Sequence, residues 1–230
     1  MKATDVMVTN VITVGPDAGV REVANILLAN RISAVPVVGK RNELLGVVSE
    51  GDLMRRSETD TERHRSWWIE QFTSNETLAS EFTKSHSRKV TDIMTRDVVT
   101  AEPGTSLGDI AALLEKNAIK RVPIIKDGKV VGIVSRANLV QALASVRNEI
   151  GAATAADDPT VREKVMARLN AQRWAGPFPL NVIVHDGTVE LWGLVDSEDV
   201  KRALRVAAEE TAGVRAVNDN LVVRPLVHGE

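Results

Sequence analysis

The sequence predicts an α/β (α+β) fold with two β-α-β-β-α repeats and a small α-β-β-α-β domain at the end. The phrase GVVSEGD, which begins at Gly46, returns as GIVSRAN at Gly132. The segments upstream of the two phrases also align, with Met7 matching Met94, so the chain contains an internal duplication. Near the end, NVIVHDGTVELW places two alternating runs around Asp-Gly, a strong signal for a β-hairpin.

The same order of elements is predicted in each repeat. An extended piece, NVITV or DVVTA, runs into a turn at Pro16 or Pro103. Apolar residues at helical spacing then predict a helix in each copy: Val20, Val23, Ala24 and Leu27, and Leu107, Ile110, Ala111 and Leu114. Two apolar runs joined by a turn predict a hairpin, and a helix (DLMRR or NLVQALASVRN) closes the unit. Pro36 and Pro123 lack an N–H donor, so we expect them at strand beginnings or edges.

Residues 58–89 between the repeats are longer than a connection requires, and they predict an inserted helical linker. One helical face carries Trp68, Phe72, Ala79 and Phe82. An aromatic stripe at this spacing favours a core or subunit interface over membrane insertion or base stacking by Trp67-Trp68. The flanking RSETDTERHR and KSHSRK segments are typical of a solvated linker.

A small-residue linker at 149–158 separates the repeats from the last domain, residues 159–225. Pro159 suits the first turn of a helix whose apolar face is Val161, Val165 and Leu169. After the hairpin, a helix from about Ser197 is expected to end at Gly213, and AVNDNLVV supplies the last strand. Trp174 and the following AGPFP could contact a lipid or a partner, or could be buried under the hairpin.

These motifs carry two family resemblances. The tandem unit, with repeats at 1–57 and 90–148, resembles a pair of CBS domains (a Bateman module) through V(I/V)T before a proline turn, AVPVV/RVPII and GVVSEGD/GIVSRAN. Residues 159–225 resemble a BON domain through V-x-V-x-D-G-x-V-x-L-x-G-x-V and the later GV-x-x-V-x-N-x-L. The first resemblance implies two repeats in a pseudo-twofold arrangement, assembled as a homodimer. It also implies a regulatory adenosyl ligand: AMP, ADP, ATP or S-adenosylmethionine. The second implies a module for membrane or partner binding.

Carried over from the CBS family, one ligand site comprises Ser49, Asp52, Thr100, Arg121, Val122 and Pro123. An ionised Asp can accept two hydrogen bonds, which suits the 2′ and 3′ hydroxyls of ribose, and Arg is a multidentate phosphate ligand. The mirror site comprises Thr13, Ala34, Val35, Pro36, Ser135 and Asn138. There an Asn replaces one acceptor oxygen with a donor, so we expect a weaker or empty second site.

Two other interpretations of these residues stay open. Ser-x-x-Asp before a helix is also an ordinary N-terminal cap, and the chain could be a constitutive dimeric scaffold that binds a membrane or protein through its BON domain without nucleotide. Net charge of −2 disfavours nucleic-acid binding. Neither a catalytic motif nor a required cofactor is predicted, and the four histidines (His64, His86, His185 and His228) lack the spacing of metal ligands. Without a signal peptide or membrane span, we expect a cytoplasmic protein.

Overall fold

The computed structural model describes residues 1–54, 74–145, 158–172, 174 and 180–224. Its helices are α1 (Ala3–Val6), α2 (Val20–Asn30), α3 (Glu50–Leu53), α4 (Asn75–His86), α5 (Val90–Ile93), α6 (Leu107–Lys116), α7 (Arg136–Ser145), α8 (Asp158–Asn170) and α9 (Glu198–Glu209). Its strands are β1 (Ala34–Val38), β2 (Leu44–Ser49), β3 (Arg121–Lys126), β4 (Lys129–Ser135), β5 (Asn181–His185), β6 (Thr188–Val195) and β7 (Ala216–Val223). The mixed helix and strand content confirms the predicted fold class. No described helix is both long enough and apolar enough to cross a membrane.

The chain divides into two compact units. The repeat-1 unit contains Ile12–Val98 and Asp127–Val130, and the repeat-2 unit contains Met1–Val11, Val99–Lys126 and Val131–Glu230. The last domain therefore belongs to the same compact unit as the second repeat.

In the repeat-1 unit, β1 and β2 form an antiparallel hairpin that runs from Ala34 opposite Ser49 to Val38 opposite Leu44. Helix α2 packs on this hairpin through Val23 and Leu27, which are almost fully buried. The equivalent arrangement in the repeat-2 unit is the β3–β4 hairpin with α6, whose Ile110 and Leu114 are buried. The helix-hairpin order predicted for both repeats is confirmed.

Each repeat begins with a short helix that packs in the unit of the other repeat. Helix α5 begins the second repeat, but its Val90 and Ile93 lie in the core of the repeat-1 unit. Helix α1 lies at the start of the first repeat, but its Ala3 and Val6 lie in the core of the repeat-2 unit. This reciprocal exchange makes both units depend on both halves of the duplication.

The glycine in each duplicated phrase accommodates a methionine from the exchanged segment. A Cβ on Gly46 would lie 2.7 Å from Sδ of Met94, and one on Gly132 would lie 2.5 Å from Sδ of Met7. These distances are shorter than real Cβ contacts, so any larger residue at either position would force its neighbours to move. The same packing contact thus explains why Met and Gly recur at equivalent positions of the two repeats.

The strand predicted before each proline turn is wrong in extent, because it consists of a single parallel bridge. Val14 donates to the Pro36 carbonyl at 3.0 Å and accepts from Val38 N–H at 2.9 Å. Extending this parallel ladder in either direction would need an N–H from Pro16 or Pro36, and proline has none. Ala101 makes the same single bridge in the second copy, bounded by prolines at the matching positions. Pro36 and Pro123 lie inside β1 and β3 and not at their beginnings, but both strands are edge strands of two-stranded sheets, as the alternative prediction had it.

The last domain has a three-stranded sheet in which β5 is antiparallel to β6, and β6 is parallel to β7. Helices α8 and α9 cover one face of this sheet. Its core comprises Val161, Val165, Met166, Leu169, Leu180, Val182, Val184, Val189, Leu191, Val195, Leu204, Ala207, Ala208 and Leu221. The α-β-β-α-β order is confirmed. Helix α9 ends at Glu209, earlier than predicted, and Gly213 lies in the following turn with φ of 98°.

Only part of the predicted inserted helix lies within the described residues, as α4. Phe82 on α4 is 63% exposed and stacks on His86, and Ala79 is exposed as well. These two positions are therefore not buried in the core of the chain, and the alternative of a subunit interface stays a prediction. Trp67, Trp68 and Phe72 lie outside the described residues, as do AGPFP and most of the 149–158 linker. Trp174 is 42% exposed, which does not support its burial under the hairpin.

Candidate ligand-binding residues

Ser49 and Asp52 lie where β2 passes directly into α3. Ser49 has an extended backbone (φ −121°, ψ 168°), and its N–H and Oγ donate to Oδ2 of Asp52 at 2.8 and 2.7 Å. The other carboxylate oxygen, Oδ1, has no hydrogen-bond partner among the described residues. Asp52 is half-buried. The motif therefore forms a cap and leaves one acceptor oxygen without a partner in the described part of the chain.

Ser135 and Asn138 repeat this geometry at the start of α7. Oδ1 of Asn138 accepts from Ser135 N–H at 2.7 Å and from Ser135 Oγ at 2.8 Å. Unlike Asp52, Asn138 is only 5% exposed. Its amide Nδ2 donates to Oε1 of Gln141 at 3.1 Å. Oxygen and amide nitrogen are thus both in use.

The proline-containing strands supply backbone more than side chains. Val35 and Val122 are fully buried, each in the core of its own unit, so their side chains are unavailable as walls for an adenine ring. Ala34, Pro36 and Pro123 are buried too. Any contribution of these strands to a ligand site would therefore come from their main chain.

The remaining predicted site residues are more accessible. Arg121 is half-buried at the start of β3, and Thr100 is exposed just before the single bridge of the second copy. Thr13 is half-buried at the matching position of the first copy. Ser49, Asp52 and Thr13 fall in the repeat-1 unit, whereas Thr100 and Arg121 fall in the repeat-2 unit.

Three polar residues that the sequence did not single out join the last domain to the second repeat. Gln141 on α7 accepts from Asn181 Nδ2 on β5 at 2.7 Å, with the same Oε1 that Asn138 uses. Arg162 on α8 donates to the carbonyls of Val182 and Met7. The signal that could have found this face is NVIVH, since an apolar residue at every central position indicates a strand buried on both sides.

Electrostatics at this junction are set by burial. Removal from water lowers the pKa of Arg162 to about 10, against a smaller opposing effect of Asp5. The guanidinium therefore keeps its charge at neutral pH and donates charge-assisted hydrogen bonds to the two carbonyls.

Two of the four histidines, His86 and His185, lie within the described residues. His86 stacks on Phe82, and Nδ1 of His185 lies 3.3 Å from the Asp186 carboxylate. Within the described ranges no three His, Cys, Asp or Glu side chains are grouped closely enough to hold a metal ion. His64 and His228 lie outside those ranges.

Comparison with known protein families gives matches over both parts of the chain. The CBS domain model matches residues 3–59 and 90–145, and the BON domain model matches residues 157–225. The two matches confirm the predicted resemblances to a tandem CBS pair and to a BON domain.

Individual relatives agree with this assignment. The chain is 32% identical over 143 residues to the uncharacterized protein MJ1426 of Methanocaldococcus jannaschii, across 57% of this chain and 85% of that protein. It is 31% identical over 147 residues to the chloroplastic CBS domain-containing protein CBSX2 of Arabidopsis thaliana, across 61% of each. A crystal structure of CBSX2 in complex with AMP superposes with a TM-score of 0.56 and 28% identity, over 64% of this chain and 99% of that one.

Proposed function

The chain belongs to the CBS-domain proteins and ends in a BON domain, and on this premise we propose that its CBS pair binds a regulatory adenosyl ligand. The ligand class is AMP, ADP, ATP or S-adenosylmethionine. Occupancy would be relayed to the BON domain, which serves as the output or anchoring module. The role is regulatory rather than catalytic.

The observation that carries this proposal is the similarity to CBSX2, whose crystal structure contains AMP and is covered over 99% of its length. The geometry of Asp52 supports it, because Oδ1 is left as an acceptor beside a strand-to-helix junction. A carboxylate oxygen in that state suits a pair of vicinal hydroxyls, such as those of ribose.

Within the site we assign a role to each residue. Asp52 accepts from the ribose hydroxyls, and Ser49 orients its carboxylate. Arg121 pairs with phosphate, where a planar guanidinium binds better than an ammonium would. The backbone of Thr100, Val122 and Pro123 contacts the adenine. The mirror set, Thr13, Ala34, Val35, Pro36, Ser135 and Asn138, is the weaker candidate.

Thermal unfolding of the full chain with each of the four ligands tests the proposal. A ligand at 100 times its dissociation constant adds about 2.7 kcal/mol, which raises Tm by roughly 5–10 °C in a chain of this size. We expect one ligand or more to do so, and Asp52→Ala to abolish the shift. The absence of a shift with all four ligands would contradict the proposal.

A second candidate function is a constitutive scaffold with no nucleotide. The observation in its favour is that Oδ2 of Asp52 accepts both bonds from Ser49, as in any helix cap. Co-sedimentation of the full chain with anionic vesicles, with and without ligand, separates the two. The scaffold would be favoured if the bound fraction is the same with and without each adenosyl compound and no compound raises Tm.

We further propose that the protein is a homodimer assembled through its CBS pairs. Val140 and Leu143 lie one turn apart on α7 and are 65% and 75% exposed. Met54, which matches Val140 in the first copy, is 68% exposed. Large apolar residues exposed at matching positions of both repeats suit an interface between two copies.

A further inference from the structure

The two copies differ by more than Asp52 against Asn138. Three residues later the first copy has Arg55 and the second has Gln141. An acidic and a basic residue in the first copy thus correspond in sequence to two neutral amides in the second copy. A substitution of Asp by Asn at position 138 alone would not require Gln at position 141.

The neutral pair contacts the BON domain. Asn138 Nδ2 and Asn181 Nδ2 both donate to Oε1 of Gln141, at 3.1 and 2.7 Å. Asn138 and Asn181 are 5% and 3% exposed. This buried amide cluster therefore links the helix that closes the second repeat to the first strand of the BON sheet.

An apolar contact surrounds the amide cluster. Ile183, on the opposite face of β5 from the BON core, is fully buried in the same cluster as Ala142 of α7 and Val6 of α1. Trp192 of β6 packs against that cluster. Arg162 adds its bond to the Met7 carbonyl at 2.8 Å. One face of the BON sheet is thus fixed to the second repeat by both polar and apolar contacts.

We propose that the second repeat has lost its ribose position to BON docking, so that the CBS pair holds one adenosyl ligand per chain. Asn138 serves here as a positioning residue for the BON domain. An Asp at this place would bury a carboxylate without the amide donor that now bonds to Gln141, and burying such a charge is costly. The stoichiometry rests on the proposed function, whereas the docking role does not.

Hydrogen exchange of the full chain tests the docking role without any ligand. Asn138→Asp should lower protection of the β5 amides by about tenfold, the equivalent of one or two lost hydrogen bonds. The matched control is Asp52→Asn, the reciprocal change, which should leave β5 protection unaltered. Unchanged protection of β5 in Asn138→Asp would overturn the docking role. If Asn138→Asp does not fold, Gln141→Met is the second variant, because it introduces no charge. Unchanged protection of the β5 amides in Gln141→Met would likewise overturn the docking role.

Calorimetric titration of the full chain with AMP tests the stoichiometry. We expect one AMP per chain, and two per chain would overturn the inference. The absence of AMP binding, repeated with the other three adenosyl compounds, would overturn the proposed function and the stoichiometry with it. The docking role would then be decided by hydrogen exchange alone.

Discussion

The guanidinium of Arg162 donates to the carbonyl oxygen of Met7, 2.8 Å away, across 155 positions of sequence. The same side chain donates to Val182 on the first BON strand at 2.6 Å. Arg162 of the BON domain therefore hydrogen-bonds to the segment that contains α1. Met7 of that segment packs over Gly132. Seven residues further on, Val14 pairs with the proline-containing strand of the first repeat.

We predict that Arg162→Met destabilises the protein by about 1–3 kcal/mol, because it leaves two carbonyls without their donor. Tm should fall by several degrees. The matched control is Arg168→Met on the same helix, since Arg168 is 40% exposed and pairs with Glu210 on the surface, where an ion pair contributes about 0–1 kcal/mol. Equal effects of the two substitutions in chemical denaturation would contradict the assigned role.

Alanine at the duplicated glycines should destabilise both repeats, but unequally. At Gly46 a Cβ would also lie 2.8 Å from the Thr95 carbonyl, which is backbone, whereas at Gly132 the three nearest atoms all belong to the Met7 side chain. Methionine can rearrange and backbone cannot, so Gly46→Ala should cost more than Gly132→Ala, within a range of about 1–3 kcal/mol. Gly104→Ala is the control, because nothing lies within 4 Å of its added Cβ. A lower denaturant midpoint for Gly132→Ala than for Gly46→Ala would contradict this packing explanation.

Asp158 should prove important for the stability of the BON domain. Its two carboxylate oxygens accept from the N–H groups of Asp186 and Gly187 at 2.7 and 2.9 Å, which joins the start of α8 to the tip of the hairpin. Asp158→Ala should therefore cost about 1–3 kcal/mol, and Asp158→Asn, which keeps one acceptor, about half as much. Asp199→Ala on α9, where the side chain is 86% exposed, should change the unfolding free energy little. If Asp158→Ala lowers the unfolding free energy no more than Asp199→Ala does, Asp158 does not stabilise the junction between α8 and the hairpin.

Leu143→Glu should shift the protein from dimer to monomer, because it places a charge in the proposed apolar interface. Sedimentation velocity measures the change directly. Val222→Glu, on a BON strand and 54% exposed in the wild type, should leave the dimer intact. A wild-type monomer, or a Leu143→Glu dimer of unchanged affinity, would contradict the proposed assembly.

Local sequence signals were enough to predict the repeats and the hairpins. Asp186-Gly187 closes the BON hairpin with φ of 49° and 72°, as Asp-Gly favours. The single bridge at Val14 was also predictable in principle, since prolines occupy both positions that would extend the ladder. What was missing was the register, which the sequence does not state.

Long-range pairing accounts for what the sequence did not reveal. The four residues of α1 do not indicate which repeat they pack with, because Ala3 and Val6 could be buried against either one. The role of Asn138 depends on Asn181, which is 40 positions from their shared partner Gln141. The sequence around Asn138 alone predicts only a weaker equivalent of Asp52.

The most direct test of the central claim is calorimetric titration of wild-type protein and Asp52→Ala with AMP and 2′-deoxy-AMP. Wild type should bind AMP at least about tenfold more tightly than it binds the deoxy compound, since a hydrogen bond to a carboxylate contributes about 1.5–3 kcal/mol. Asp52→Ala should bind both nucleotides weakly and equally. Wild-type protein that does not distinguish the two nucleotides, or an Asp52→Ala variant that still does, would contradict ribose recognition by Asp52.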